Sequence, residues 1–171
     1  MPSLTSRGAF AALFVACFAF PAIGEIASNE VTLRVEPLKT TVNEGEEIEV
    51  TVAFVGGAQE TTLILPMGAD PSGIISYRAT EIGSGRDWMG SRRDSRSFAA
   101  DDRRRLAAGA RLQWHHDALR FEGVDNALAG NLPAGTYRIV AIYDEARTFR
   151  PENRGSRMIR SEPVEIVVTA R

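Results

Sequence analysis

The sequence predicts an all-β protein, an antiparallel β-sandwich of seven to eight strands, and three observations carry that prediction. Short segments alternate apolar and polar residues with the period of two that a half-buried strand requires. Turn-forming residues separate these segments at short intervals. No stretch sustains the 3.6-residue period of a long helix. Composition agrees with a packed chain: of 171 residues 44% are apolar and 25% charged, which sets the sequence apart from disordered ones.

Residues 1–24 read as a secretory signal peptide, removed before folding. Arg7 gives a positive front end, Ala9 to Phe20 is an apolar run broken by Pro21, and Ala22-Ile23-Gly24 offers small residues for cleavage. Twelve apolar residues are too few to span a bilayer, which takes about 20. The one cysteine, Cys17, lies inside this segment, so the exported chain has no thiol for a disulfide or a zinc site. Two alternatives stand beside cleavage: lipidation at Cys17, or a retained leader acting as an anchor. In either case the address is outside the cytoplasm, periplasmic or secreted.

The remaining residues, 25–171, are expected to form a single domain. Val31, Leu33 and Val35 alternate with polar neighbours up to Pro37, which removes a backbone donor and ends the strand. Asn43-Glu44-Gly45-Glu46 is a turn, and Ile48, Val50, Val52 and Phe54 make the clearest alternating strand of the chain. Thr61 to Leu65 and Ile74 to Ala79 supply two more. From Ile82 to Ala110 the period fails, and a long irregular arginine-rich segment is expected. Strand signals resume at Arg111 to His115 and Ala118 to Phe121, then strongly at Tyr137 to Asp144. A polar loop follows over 145–158, and Val164 to Thr169 is the last strand.

Two stretches resemble the immunoglobulin-like domains of exported bacterial proteins. One is Val31 to Val35 followed by Val42 to Val52, with its Gly45-Glu46 turn; the other is Leu132-Pro133-Ala134-Gly135-Thr136-Tyr137, closing with Ser161 to Val168. The resemblance implies two packed sheets and makes Tyr137 a tyrosine corner, its hydroxyl bonded to backbone a few residues upstream. Ile139 stands where antibody domains carry their second cysteine, so apolar packing must join the sheets. Such sandwiches host many functions, so the resemblance implies a fold and no activity.

The chemistry-bearing residues are few. His115 and His116 are the metal candidates, but neighbours on a strand point to opposite faces and do not share an ion. No Gly-x-Ser-x-Gly elbow, HExxH pair or Asp-x-Asp-x-Asp-Gly loop occurs. Hence no cofactor is expected, and no catalytic residue. The conspicuous feature is Arg86, Arg92, Arg93, Arg96, Arg103, Arg104 and Arg105, with Trp88 among them. Seven Arg against four Asp give residues 82–110 a charge of +3 and leave −6 on the rest of the exported chain. Guanidinium forks suit carboxylate, sulfate and phosphate, and an aromatic ring adds stacking. The expectation is a non-enzymatic exported module that docks an anionic envelope polysaccharide or an acidic protein. Export and the acidic remainder argue against nucleic acid. The alternatives are a structural accessory domain contacting its partner by a sheet edge or apolar face, and a hydrolase or metal protein of unfamiliar type.

Overall fold

The computed structural model describes residues 30–66, 74–92, 101–123, 132–147, 155 and 157–171. Among them the chain is all-β. Its strands are β1 (Thr32–Pro37), β2 (Thr41–Asn43), β3 (Ile48–Val55), β4 (Thr61–Pro66), β5 (Ile75–Glu81), β6 (Asp87–Arg92), β7 (Asp101–Leu106), β8 (Arg111–Gly123), β9 (Gly135–Asp144), β10 (Met158–Arg160) and β11 (Val164–Thr169). Nine of them form one strongly curled, half-barrel sheet in the order β1-β3-β8-β6-β5-β9-β11-β2, with β10 beside β9. β4 and β7 make a separate two-stranded sheet. Every pairing is antiparallel except that of β2 with β11.

The alternation read in the sequence is the burial pattern of the fold. Leu33 and Val35 of β1, Ile48, Val50, Val52 and Phe54 of β3, and Tyr137, Ile139, Ala141 and Tyr143 of β9 all point into one core. Each such side chain withdrawn from water contributes about 1.5–3 kcal/mol. Phe54 anchors the centre, its ring edge-on to Tyr143 at 5.1 Å and to Trp114 at 6.1 Å. Also buried are Tyr77 and His116, whose Oη and Nδ1 lie 2.5 Å apart. β9 is central, flanked by β5 and β11; its inward face is fully buried and Val140 and Ile142 on the other face are half-buried.

Between β1 and β3 the chain crosses from one side of the curl to the other. β1 pairs with β3, while β2 pairs with β11 in parallel. The turn that follows is fixed by Glu46, whose N–H donates to the Asn43 carbonyl at 2.8 Å and whose carboxylate accepts the Asn43 N–H at 3.0 Å. Lys39 reaches the same carboxylate at 2.6 Å. Gly45, at φ +84, takes a backbone conformation that other residues resist.

Three expectations need correction, the first being the seven to eight strands packed as two sheets: the described residues form eleven strands, nine of them in one curled sheet. Residues 82–110 are not irregular throughout, since 87–92 and 101–106 are strands. β6 escaped notice because Gly90 interrupts its pattern. That glycine is required: a Cβ there would stand 2.5 Å from the Phe121 ring. The two separate strands expected at 111–115 and 118–121 are one long strand, β8. Val50 pairs with His116 and Ile48 with Leu119, so β8 holds one residue more than β3 across this step. The bulge turns His116 and Leu119, three apart in sequence, to the same buried side, and the period of two is lost.

Candidate arginine-edged functional site

The arginine run falls on β7. Arg103, Arg104 and Arg105 are all exposed, and they pair with Ile64, Leu63 and Thr62 of β4. Arg103 and Arg105, two residues apart, stand on one side of the small sheet and Arg104 on the other. Arg105 meets Glu60 only at 4.0 Å, with 80% of its own side chain exposed. A pair so solvated contributes little, and the guanidinium stays open to solvent.

Besides the buried Leu63, Leu65 and Leu106, a polar clamp on the far edge of β4 holds this small sheet in place. The Tyr143 hydroxyl accepts the Ile64 N–H at 3.1 Å and lies 3.0 Å from both the Ile64 carbonyl and Glu145 Oε1, its two acceptors. Arg157 donates from Nη1 to the Thr62 carbonyl at 2.7 Å, and its Nε lies 3.7 Å from Glu145 Oε1. The Glu145 N–H in turn donates to the Arg157 carbonyl at 3.0 Å. Glu145 is buried, and the tyrosine and arginine beside it satisfy a carboxylate that would otherwise be costly there. Burial pushes the Tyr143 hydroxyl well above its ordinary range, so it stays protonated. Sequence reasoning missed this clamp, since Arg157 and Thr62 stand far apart in the chain and no local pattern joins them.

The other expected binding residues are not gathered here. Arg86 is exposed in the turn after β5, where its carbonyl accepts the Glu81 N–H at 2.8 Å. Glu81 pairs with Tyr137, six residues before Tyr143 on β9, so Arg86 and the clamp are about 20 Å apart along the sheet. Trp88 is corrected from a surface stacking ring to a core residue, 6% exposed, because it lies on the inward face of β6 and joins the buried core cluster. Its indole Nε1 finds no hydrogen-bond partner among the described residues. Arg92 ends β6, with its side chain outside the described part, and Arg93 and Arg96 lie outside the described residues.

His115 and His116 face opposite ways, as expected of neighbours on a strand. His115 is exposed, with Nε2 at 3.4 Å from Glu49 Oε2, and His116 is in the core. Among the described residues no three His, Cys, Asp or Glu side chains converge as metal ligands would. Tyr137 is fully buried and donates its hydroxyl to the Pro133 carbonyl at 2.8 Å. Burial, seconded by the nearby Glu81 charge and opposed by Arg86, pushes its hydroxyl up to about 12.

A groove of about 1040 Å³ runs between β1 and the β10–β11 side of the curl. Val31, Ile159 and Val164 form an apolar floor, and Arg34, Arg160 and Glu162 stand among its charged lining. Its lining holds Glu30, Glu36 and Glu162 against Arg34, Arg157 and Arg160, so it presents no excess of one sign.

No protein-family model and no curated protein sequence matches the chain. Among solved structures it is similar to a β-glucosidase from Listeria innocua in complex with glucose, at a TM-score of 0.41 and 13% identity. It is also similar to Spo0M, a sporulation control protein from Bacillus subtilis, at 0.37 and 12%. The alignments cover 82% and 83% of this chain, but only 16% of the glucosidase and 50% of Spo0M. Both are likenesses of a β-rich domain, and neither assigns a family.

Proposed function

We propose that this protein is a non-enzymatic exported binding module that engages an anionic partner through the arginine edge of β7. One observation carries the reading: three consecutive arginines are exposed on a strand whose partner strand is clamped to the main sheet. Guanidinium groups carried on a fixed strand bind carboxylates or phosphates with less loss of backbone freedom than groups on a free loop. The leader-like residues 1–24 support export. The acidic remainder of the chain favours one positive contact region over general adhesion to polyanions.

Strand order supports an immunoglobulin-like reading of the curl. Constant-type domains order their strands A-B-E-D on one sheet and C-F-G on the other. Here β1-β3-β8-β6 and β5-β9-β11 follow those orders, and the strands appear along the chain in the sequence A to G. β6, in the D position, also pairs with β5 in the C position, which fuses the two sheets into one. The Tyr137–Pro133 bond is the contact that a tyrosine corner makes. β2, β4, β7 and β10 are additions to this frame, so the arginine edge is an elaboration on it.

The test compares the parent with an Arg103→Glu, Arg105→Glu double variant for binding to a labelled polyuronate and a labelled acidic polypeptide in low salt. Binding of either polymer by the parent and its loss in the variant support the proposal. Equal binding by both proteins overturns the arginine site and leaves the sheet edges as the contact surface.

A further inference from the structure

The Tyr143 hydroxyl bonds both main-chain groups of Ile64, and Arg157 bonds the Thr62 carbonyl. Those groups of β4 therefore point toward the clamp and away from β7. Pairs in an antiparallel ladder alternate between those that exchange hydrogen bonds and those that do not. Ile64 faces Arg103 and Thr62 faces Arg105, so both are pairs of the second kind. It follows that the N–H and C=O of Arg103 and Arg105 also point away from β4, out along the other edge of β7. Among the described residues no strand pairs with that edge.

The side chains divide in a related way. Arg104 shares its side of the small sheet with the buried Leu63, Leu65 and Leu106. Arg103 and Arg105 thus stand on the side turned away from the core, exposed and about 7 Å apart along the strand. Two positions therefore combine an exposed guanidinium group with an outward main-chain donor and acceptor.

We propose that the anionic partner is an extended acidic polypeptide that adds to β7 as an antiparallel strand, with carboxylates two residues apart opposite Arg103 and Arg105. This rests on the arginine reading above and specifies the kind of anion the edge takes. An extended chain carries residues i and i+2 on one side, at the spacing of the two arginines. Opposite charges directly across an antiparallel pair attract, and strand addition supplies main-chain bonds. Each acidic residue would exchange both N–H···O bonds with the arginine it faces, and the residue between them would turn its N–H outward. A polyuronate also brings carboxylates, but it has no row of amide N–H groups to match the edge.

Three labelled heptapeptides test this by fluorescence anisotropy in low salt: Thr-Val-Glu-Thr-Glu-Val-Thr, the same peptide N-methylated at both Glu, and the same N-methylated at the central Thr. The unmodified peptide is expected to bind the parent, and about tenfold or more weakly to bind an Arg103→Gln, Arg105→Gln double variant. Methylation at both Glu removes the two donors aimed at β7 and should also weaken binding about tenfold or more. Methylation at the central Thr blocks a donor that points away, so affinity should stay within about twofold. Two methylated peptides of equal affinity, whether strong or weak, would overturn strand addition and leave the arginines as an anion site. Binding of the labelled polyuronate without binding of any peptide would do the same. Peptide binding that ignores the double variant, or no binding of peptide or polyuronate, would overturn the arginine reading as well. Unchanged far-ultraviolet dichroism of the variant separates lost binding from lost folding.

Discussion

Tyr143→Phe removes one oxygen and keeps the ring, so the Phe54 contact and the core volume survive. What is lost is the hydroxyl that accepts the Ile64 N–H at 3.1 Å and lies 3.0 Å from two acceptors, the Ile64 carbonyl and Glu145 Oε1. One proton serves the two acceptors, so the substitution removes about two full hydrogen bonds. A buried polar group left without its partner costs about 1–3 kcal/mol. Arg157 still faces Glu145 and the Thr62 carbonyl, which limits the damage. The expected loss is about 2–4 kcal/mol, or about 5–12 °C in Tm for a chain of this size. Urea unfolding should show a lower midpoint with the same slope, because the surface exposed on unfolding is unchanged. Hydrogen exchange adds a local reading: the Ile64 amide should lose protection more than amides of β3. An unchanged urea midpoint together with unchanged Ile64 protection would refute the clamp.

Two further outcomes follow from the core. Tyr77, Tyr143 and Tyr137 all have hydroxyls pushed up chiefly by burial, Tyr137 to about 12. Below about pH 10 both folded and unfolded chains keep these protons; above it only the unfolded chain releases them, so stability should fall as pH rises from about 10 through 12. Urea midpoints at a series of pH values check this, and ordinary phenolate titration of all three tyrosines in a folded protein would contradict it. Gly90→Ala would place a Cβ 2.5 Å from the Phe121 ring in a strand paired on both sides. It should destabilise the protein by about 1–3 kcal/mol, read as a lower urea midpoint, whereas an unaltered midpoint would mean the ring moves freely aside.

That the chain is all-β was legible, though not its single curled sheet, because the strands that bury one face announce themselves. β1, β3, β9 and β11 follow the period of two, and their inward residues are the ones buried. The strands that were missed break that period for separate physical reasons. β6 gives up a side chain at Gly90 to admit Phe121. β8 carries a bulge that changes which residues face inward after His116. β7 breaks it because Arg103, Arg104 and Arg105 are exposed on both of its sides. The arginine run was visible as composition, but its division was not. Register places Arg103 to Arg105 beside the clamp, leaves Arg86 at the opposite end of β9, and sends Trp88 into the core. The clamp had no sequence signal, because Arg157 meets Tyr143 and Glu145 only once β10 pairs with β9, and the three meet β4 only once it docks there.

The central claim is that the arginines of β7 bind an anion, and the salt dependence of that binding tests it most directly. Affinity for a labelled acidic polypeptide would be measured over a range of salt concentrations for the parent and for Arg103→Gln. A contact carried by exposed guanidinium groups weakens steeply as salt rises, and removing one of them should make the dependence shallower as well as the binding weaker. An affinity independent of salt, or the same salt dependence in both proteins, would contradict the account.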